Sequence, residues 1–217
     1  GAQPATAALK PLVATLPGTV AAAREQYAAR LQTLGQEPPL AAPEMAPVLT
    51  GDVGGKPVAS AVIAGSNGPR LAVAVGKTIH LLGPDGQTVR TIATDGDLRV
   101  VHWWPEPKLL LAGCADEQVI AFDEAGQVRW RFTSEMDKAV WEAGKQYWFK
   151  SAHPGIHGLG TGDLGNGTLC FVGSACTIEF LDPTGKLVKR TPVFWGPGRQ
   201  FLVTDKPGGG KQLLQAR

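Results

Sequence analysis

Beyond Thr50 the apolar residues come in short runs, each closed by Gly, Asp, Pro or Asn, which is the pattern of strands rather than helices. Three segments share one design. The first runs Leu71-Ala-Val-Ala-Val-Gly76, then Thr78-Ile-His-Leu-Leu82, a turn ending at Gly86, and Thr88-Val-Arg-Thr-Ile92. The second runs Leu109-Leu-Leu-Ala-Gly113, Gln118-Val-Ile-Ala-Phe122, a turn ending at Gly126, and Gln127-Val-Arg-Trp-Arg-Phe132. The third runs Leu169-Cys-Phe-Val-Gly173, Thr177-Ile-Glu-Phe-Leu181, a turn ending at Gly185, and Lys186-Leu-Val-Lys-Arg190. Each predicts a three-strand meander. Gly76, Gly113 and Gly173 are expected to close its first hairpin, and Gly86, Gly126 and Gly185 its second, where a positive φ excludes a Cβ. Such a meander cannot bury both of its faces alone. It must stack on its neighbours, which is the logic of a β-propeller blade.

Further echoes predict where blades begin. Thr50-Gly-Asp52-Val-Gly54-Gly55 resembles Thr161-Gly-Asp163-Leu-Gly165-Asn-Gly167, with Asp95-Gly-Asp97-Leu98 a weaker copy, so Gly51, Gly162 and Gly165 are read as blade openers. Gly86 and Gly126 are 40 apart but Gly126 and Gly185 are 59 apart, which places an insertion around Glu135–His157. Residues 50–217 hold about four units at roughly 42 residues each. Gln200-Phe-Leu-Val-Thr204 and Gln212-Leu-Leu-Gln215, joined through Gly208-Gly-Gly210, form an unfinished last blade, and the chain reads as part of a larger propeller. The expected fold is therefore all-β, about four blades of an incomplete propeller, with a short N-terminal helical extension. Residues 1–49 supply that extension. Thr19–Leu34 are helix formers with Tyr27, Leu31 and Leu34 on one stripe, Gly35 is a C-terminal stop, and a Pro-rich linker follows.

Composition sharpens the picture without naming a reaction. Of 217 residues, 28 are Gly and 17 Pro, and only 18% are charged, which excludes a coiled coil. Hydrophobic residues make up 43%, enough for a core, and no run of about 18 apolar residues predicts a membrane span. A net charge of +2 with no basic cluster gives no case for nucleic acid. Cys114, Cys170 and Cys176 form no CxxC. Cys170 and Cys176 are close enough to meet across a hairpin, but buried free thiols are the preferred reading.

The second repeat, Val119-Ile-Ala-Phe-Asp123-Glu-Ala-Gly126-Gln-Val-Arg-Trp130-Arg-Phe, resembles the quinoprotein-type (PQQ-like) propeller repeat. The resemblance implies that Trp130 docks between blades. The other two repeats carry Thr91 or Arg190 near that place. The Thr-Gly-Asp-x-Gly-x-Gly segments are similar to integrin-type (FG-GAP) blade starts, which often bind calcium. Both likenesses cover residues 50–217 and speak to architecture more than activity. No vicinal cysteine pair is present, so no quinone cofactor is expected.

Candidate chemistry concentrates in the insertion. Trp141, Tyr147, Trp148, Lys150 and His157 form an aromatic and basic set suited to sugar rings or to a protein hot spot, or to packing between blades. His153, His157 and Lys150 are the candidates for acid–base work. Asp163 and Asn166 read as a plain tight turn, with calcium held by their hard oxygen donors as the alternative, and no cofactor is predicted. Trp103 and Trp104 are expected at an outer-strand edge, and Asp116 and Glu117 at a solvated tip. No nucleophile elbow, P-loop or dinucleotide fingerprint occurs. The reading is a non-catalytic recognition or scaffold module binding protein or polysaccharide. The alternative is a segment of a carbohydrate-active propeller enzyme, a lyase or hydrolase, with its site near residues 141–157. The leading Gly and missing Met suggest a removed targeting segment, hence an extracytoplasmic (periplasmic or secreted) setting.

Overall fold

Every apolar run of the repeats becomes a strand. The structure, a computed structural model, describes residues 18, 20–30, 32–33, 51–65, 68–135, 155–174, 177–193 and 196–216. The chain divides into two units, Gly1–Pro47 and Val48–Arg217. In the first, residues 20–30 and 32–33 are helical.

The second unit is a succession of antiparallel meanders. Its strands are β1 (Ala59–Gly65), β2 (Gly68–Val75), β3 (Thr78–Leu82), β4 (Thr88–Ala93), β5 (Leu98–Trp104), β6 (Leu109–Cys114) and β7 (Gln118–Phe122). They continue as β8 (Val128–Thr133), β9 (Gly158–Asp163), β10 (Thr168–Ser174), β11 (Thr177–Leu181), β12 (Leu187–Pro192), β13 (Gln200–Asp205) and β14 (Lys211–Ala216). Three sheets hold four strands each, in chain order β1–β4, β5–β8 and β9–β12, and β13–β14 form a two-stranded fourth. These are propeller blades. Each complete blade has one strand more than the meander expected from sequence, because β1, β5 and β9 pair in front of it.

The middle strands explain the stacking. β6 and β11 are buried at every position, so neither has a solvated face, and a sheet built on them must be covered twice. Ile63, Ala72 and Ile79 of blade 1 meet Val101, Trp103 and Leu110 of blade 2. Trp104, Leu111 and Val119 meet Leu159, Cys170 and Leu181 of blade 3. Phe171 and Phe180, edge-on with ring centroids 5.5 Å apart, meet Phe201, Val203 and Leu213 of the last hairpin. The opening strands β1, β5, β9 and β13 lie side by side in chain order, so the blades converge there and splay toward the exposed β4, β8 and β12.

The same hardware recurs in each blade. The β-bulge falls between Leu81 and Leu82, Ala121 and Phe122, and Phe180 and Leu181. The turn beside it is closed by Gly86 N–H to Gly83 O, Gly126 N–H to Asp123 O and Gly185 N–H to Asp182 O, at 3.0, 2.8 and 2.9 Å. Trp130 does dock between blades. Its Nε1 donates to Pro183 O at 3.0 Å, and its ring occupies the space a Cβ on Gly185 would need. The positions paired like Trp130 are Arg90 and Lys189, each four residues after its turn glycine, not Thr91 and Arg190. Arg90 Nη1 donates to Ala125 O in the next blade.

Several expectations need correction. Gly113 and Gly173 do not close hairpins. They lie within β6 and β10, where a Cβ would strike Ile156 and the Gly198 carbonyl. Gly162 and Gly165 do not open a blade, because residues 161–167 are the end of β9 and its turn into β10. Trp103 and Trp104 end an opening strand rather than an outer one and are buried on opposite faces of it.

Gly185 combines a φ of +83° with a Cβ position 2.5 Å from the Trp130 ring. Gly185→Ala should therefore cost about 1–3 kcal/mol of stability in urea denaturation. In a Trp130→Ala background that cost should shrink toward the backbone term alone. An equal cost in both backgrounds would remove the Trp–Gly contact as the clasp between blades 2 and 3.

Candidate functional site

Where the opening strands converge, their side chains meet across blades. On β5, Val100, His102 and Trp104 point at blade 3 by strict alternation. His102 Nε2 lies 3.1 Å from Thr161 Oγ1 of β9. Burial lowers the pKa of this imidazole, so it is neutral at ordinary pH. Trp104 Nε1 donates to Thr168 Oγ1 at 2.8 Å, and Arg99 Nη1 lies 3.2 Å from His157 Nε2, so these polar contacts add to the Trp130 bond in joining the two blades.

The other face of β9 is made of glycine. Gly158, Gly160 and Gly162 alternate along it, and a Cβ on them would strike the Gly198 carbonyl, Phe201 at 2.7 Å and Val203 at 2.6 Å respectively. The missing side chains let β13 approach closely. Between β5, β9 and the last hairpin lies a cavity of about 540 Å³, bordered by His102, Gly160, Arg199, Gln200, Phe201 and Gln215 among others. Its chemistry is an aromatic ring and the apolar Leu159, Leu202, Leu214 and Ala216, with two amides, a guanidinium and a neutral imidazole, and no carboxylate among the described residues lining it. That set suits hydrogen bonding and stacking against a bound surface.

Of the residues singled out from sequence, Trp141, Tyr147, Trp148, Lys150 and His153 lie outside the described residues. His157 does reach this region, immediately before β9, with its backbone N–H donating to Gly173 O at 2.7 Å. Asp163 Oδ1 accepts from the Gly165 and Gly167 amides at 2.6 and 3.0 Å, the geometry of a tight turn, and Asn166 sits within that turn. Sequence reasoning passed over His102, Thr161, Arg199, Gln200 and Phe201. The available signal was the period-two spacing of Gly158, Gly160 and Gly162, which marks a strand face that another backbone approaches.

A second polar group is buried where the chain leaves blade 2. Glu179 on β11 is wholly buried, at the register position held by Ile120 in blade 2. Its Oε1 accepts from Arg190 Nε at 3.1 Å and Nη2 at 2.9 Å, and from the Glu135 amide at 3.2 Å. Its Oε2 and the neighbouring Thr177 Oγ1 have no hydrogen-bond partner among the described residues. Burial raises the carboxyl pKa, with Ser134, Arg190 and the Glu135 amide opposing it. The folded protein then holds this proton more tightly than the unfolded chain does. Its stabilising contribution is complete below the ordinary carboxylate range and is lost as pH rises through the raised pKa. Glu179→Gln should accordingly gain on the wild type in melting temperature from mildly acidic to mildly alkaline buffer. A constant difference between the two proteins across that range would contradict this.

Cys170 is free and buried, so the Cys170–Cys176 pairing is not formed. Burial pushes the Cys114 thiol up to about 11 and raises that of Cys170 as well. Both should resist a thiol reagent in the native protein and react after denaturation, as read by mass-spectrometric mapping.

No helix among the described residues is long and apolar enough to cross a membrane. No family model matches the sequence, and no curated protein matches it. Among solved structures, the chain is similar to two crystal structures of BBS1N in complex with ARL6DN. The one soaked with lead shows 15% identity and a TM-score of 0.57, over 77% of this chain and 47% of that chain. The one soaked with mercury shows 15% identity and a TM-score of 0.58, over 79% of this chain and 51% of that chain. At that identity the likeness speaks to the fold, a β-propeller. The chain spans about half the length of the structures it matches.

Proposed function

We propose that this chain is a non-catalytic recognition module of β-propeller type that binds a protein partner where its opening strands converge. The observation carrying this reading is the cavity between β5, β9 and β13, in which Phe201, Arg199, Gln200, Gln215 and His102 offer aromatic and hydrogen-bonding contacts. Aromatic and Arg side chains around one concavity are the usual anchors of a protein interface. The crystallisation of BBS1N in complex with ARL6DN supports a protein ligand for an arc of this architecture. The docking of Trp130 on the next blade supports kinship with quinoprotein-type repeats at the level of the blade, used here as scaffold.

The polysaccharide reading of the aromatic insertion rests on Trp141, Tyr147 and Trp148, outside the described residues, and separates from this one by experiment. Proximity labelling and affinity capture should be run with the wild type, Arg199→Glu and the outer-strand control Val188→Asp, alongside a glycan array. A specific partner should be kept by the wild type and the control and lose roughly 30-fold in affinity with Arg199→Glu, the size of a hot-spot loss. A partner indifferent to Arg199→Glu, or glycan binding in place of protein, would overturn the reading.

A further inference from the structure

The opening strands are entered through one repeated structural position. Val58, His157 and Arg199 stand immediately ahead of β1, β9 and β13. Each donates its backbone N–H to a carbonyl of the paired strand, Ala74 O, Gly173 O and Ala216 O, at 2.9, 2.7 and 2.9 Å. In blade 2 the place falls to Arg99, ahead of the Val100–Gly113 pair that matches Ala59–Ala74 and Gly158–Gly173. Three sheets in succession thus carry a basic or imidazole side chain where blade 1 has Val58.

Convergence of the opening strands brings these places together. Arg99 Nη1 lies 3.2 Å from His157 Nε2, and a Cβ on Gly158, the residue after His157, would strike the Arg199 carbonyl oxygen at 2.6 Å. The acidic side chains near the start of β5 belong to the other junction. Asp95, Asp97 and Asp116 act electrostatically on Cys114, in the cluster between blades 1 and 2, where Arg131 pairs with Asp95 at 3.0 Å and Gln118 Nε2 donates to Asp116 at 3.3 Å. Arg199 is exposed, borders the cavity of about 540 Å³ and makes no ion pair among the described residues. An unpaired guanidinium beside a cavity with no carboxylate of its own calls for an anion, and its planar fork fits a carboxylate with two parallel hydrogen bonds. Leu159 and Phe201 line the same cavity and suit an apolar neighbour of that carboxylate.

We propose that the partner docks through an acidic segment, with a Glu or Asp carboxylate seated on Arg199 and an adjoining apolar side chain against Leu159 and Phe201. The inference rests on the recognition site proposed above and names what that site selects. Arg99, at the matching position of blade 2, adds to the positive field that steers such a segment in.

Titration of the full chain, followed by amide NMR, with acetyl-Leu-Glu-Glu-Leu-amide and its neutral counterpart acetyl-Leu-Gln-Gln-Leu-amide tests this. The acidic peptide should shift the Gly160, Arg199 and Gln200 amides and bind roughly 10-fold more tightly than the neutral one, the size of one charge-assisted hydrogen bond. Arg199→Gln should abolish that difference, and Arg199→Lys, which keeps the charge, should retain most of it. Lys77→Gln removes an equal charge from the exposed turn between β2 and β3 and should leave the difference intact. Arg199 is exposed, so its variants should keep the wild-type melting profile. Equal affinity of the two peptides at these amides overturns the acidic preference and leaves the recognition site standing. The proposal also falls if neither peptide moves them, if the preference survives Arg199→Gln, or if Lys77→Gln erases it equally. Inorganic phosphate shifting the same amides at lower concentration than the acidic peptide would make this a phosphate site instead. Partner capture with Arg199→Glu judges the recognition site independently of all these results.

Discussion

Strands that are buried on both faces constrain everything else in this molecule. β6 and β11 have no solvated side, so neither sheet can rest as a two-layer sandwich with one face wet. Each must be flanked twice by sheets that can be flanked in turn, and the chain answers with repetition. The twist of each sheet then makes the stack radiate, bringing the opening strands together and leaving β4, β8 and β12 at the rim. Side chains at the rim are free to be polar, and their exceptions are the clasps. Trp130 and Arg90 reach over to the turn of the following blade, which is why a residue on an outer strand can govern the spacing between blades.

The same convergence creates the candidate site. Opening strands approach one another more closely than a pair of ordinary side chains allows. The chain resolves this on β9 by removing side chains at Gly158, Gly160 and Gly162, and on the opposite face by pairing small polar groups, His102 with Thr161. A concavity lined by Phe201, Arg199 and two glutamines is what remains beside that close approach. Site and fold thus share one cause, and a change that loosens the packing of β13 on β9 disturbs both. Glu179 is the counterexample. It places an ionisable group where a sister blade has Ile120, and Arg190 together with the Glu135 amide only partly offset the burial.

Local regularities were legible before any coordinates. Tight turns ending in Gly86, Gly126 and Gly185, alternation within the strands between them, and the outlying Trp130 all depend on residues within a few positions of one another. The docking positions in the other blades were missed by one residue, although the four-residue spacing from each turn glycine marks Arg90 and Lys189, because neither is the aromatic that marks the place in blade 2. β1 and β9 went unread as strands since Ala and Gly there reflect the nearness of another backbone rather than intrinsic strand preference. Gly113 and Gly173 misled for the same reason, being small for a neighbour's sake and not for a turn.

By itself, then, the amino-acid sequence determined the repeating unit, its turns and the need to stack, since those follow from hydrophobic period and backbone sterics within each repeat. Tertiary structure alone decided which residues face one another across blades: His102 and Thr161 are 59 positions apart and meet only because two opening strands converge. It also decided that Val62, Leu71, Leu202 and Leu214 stay exposed. Alternation in a sequence says that a face is apolar, but what covers it depends on the neighbouring sheet, and that is set by how the stack is arranged in space.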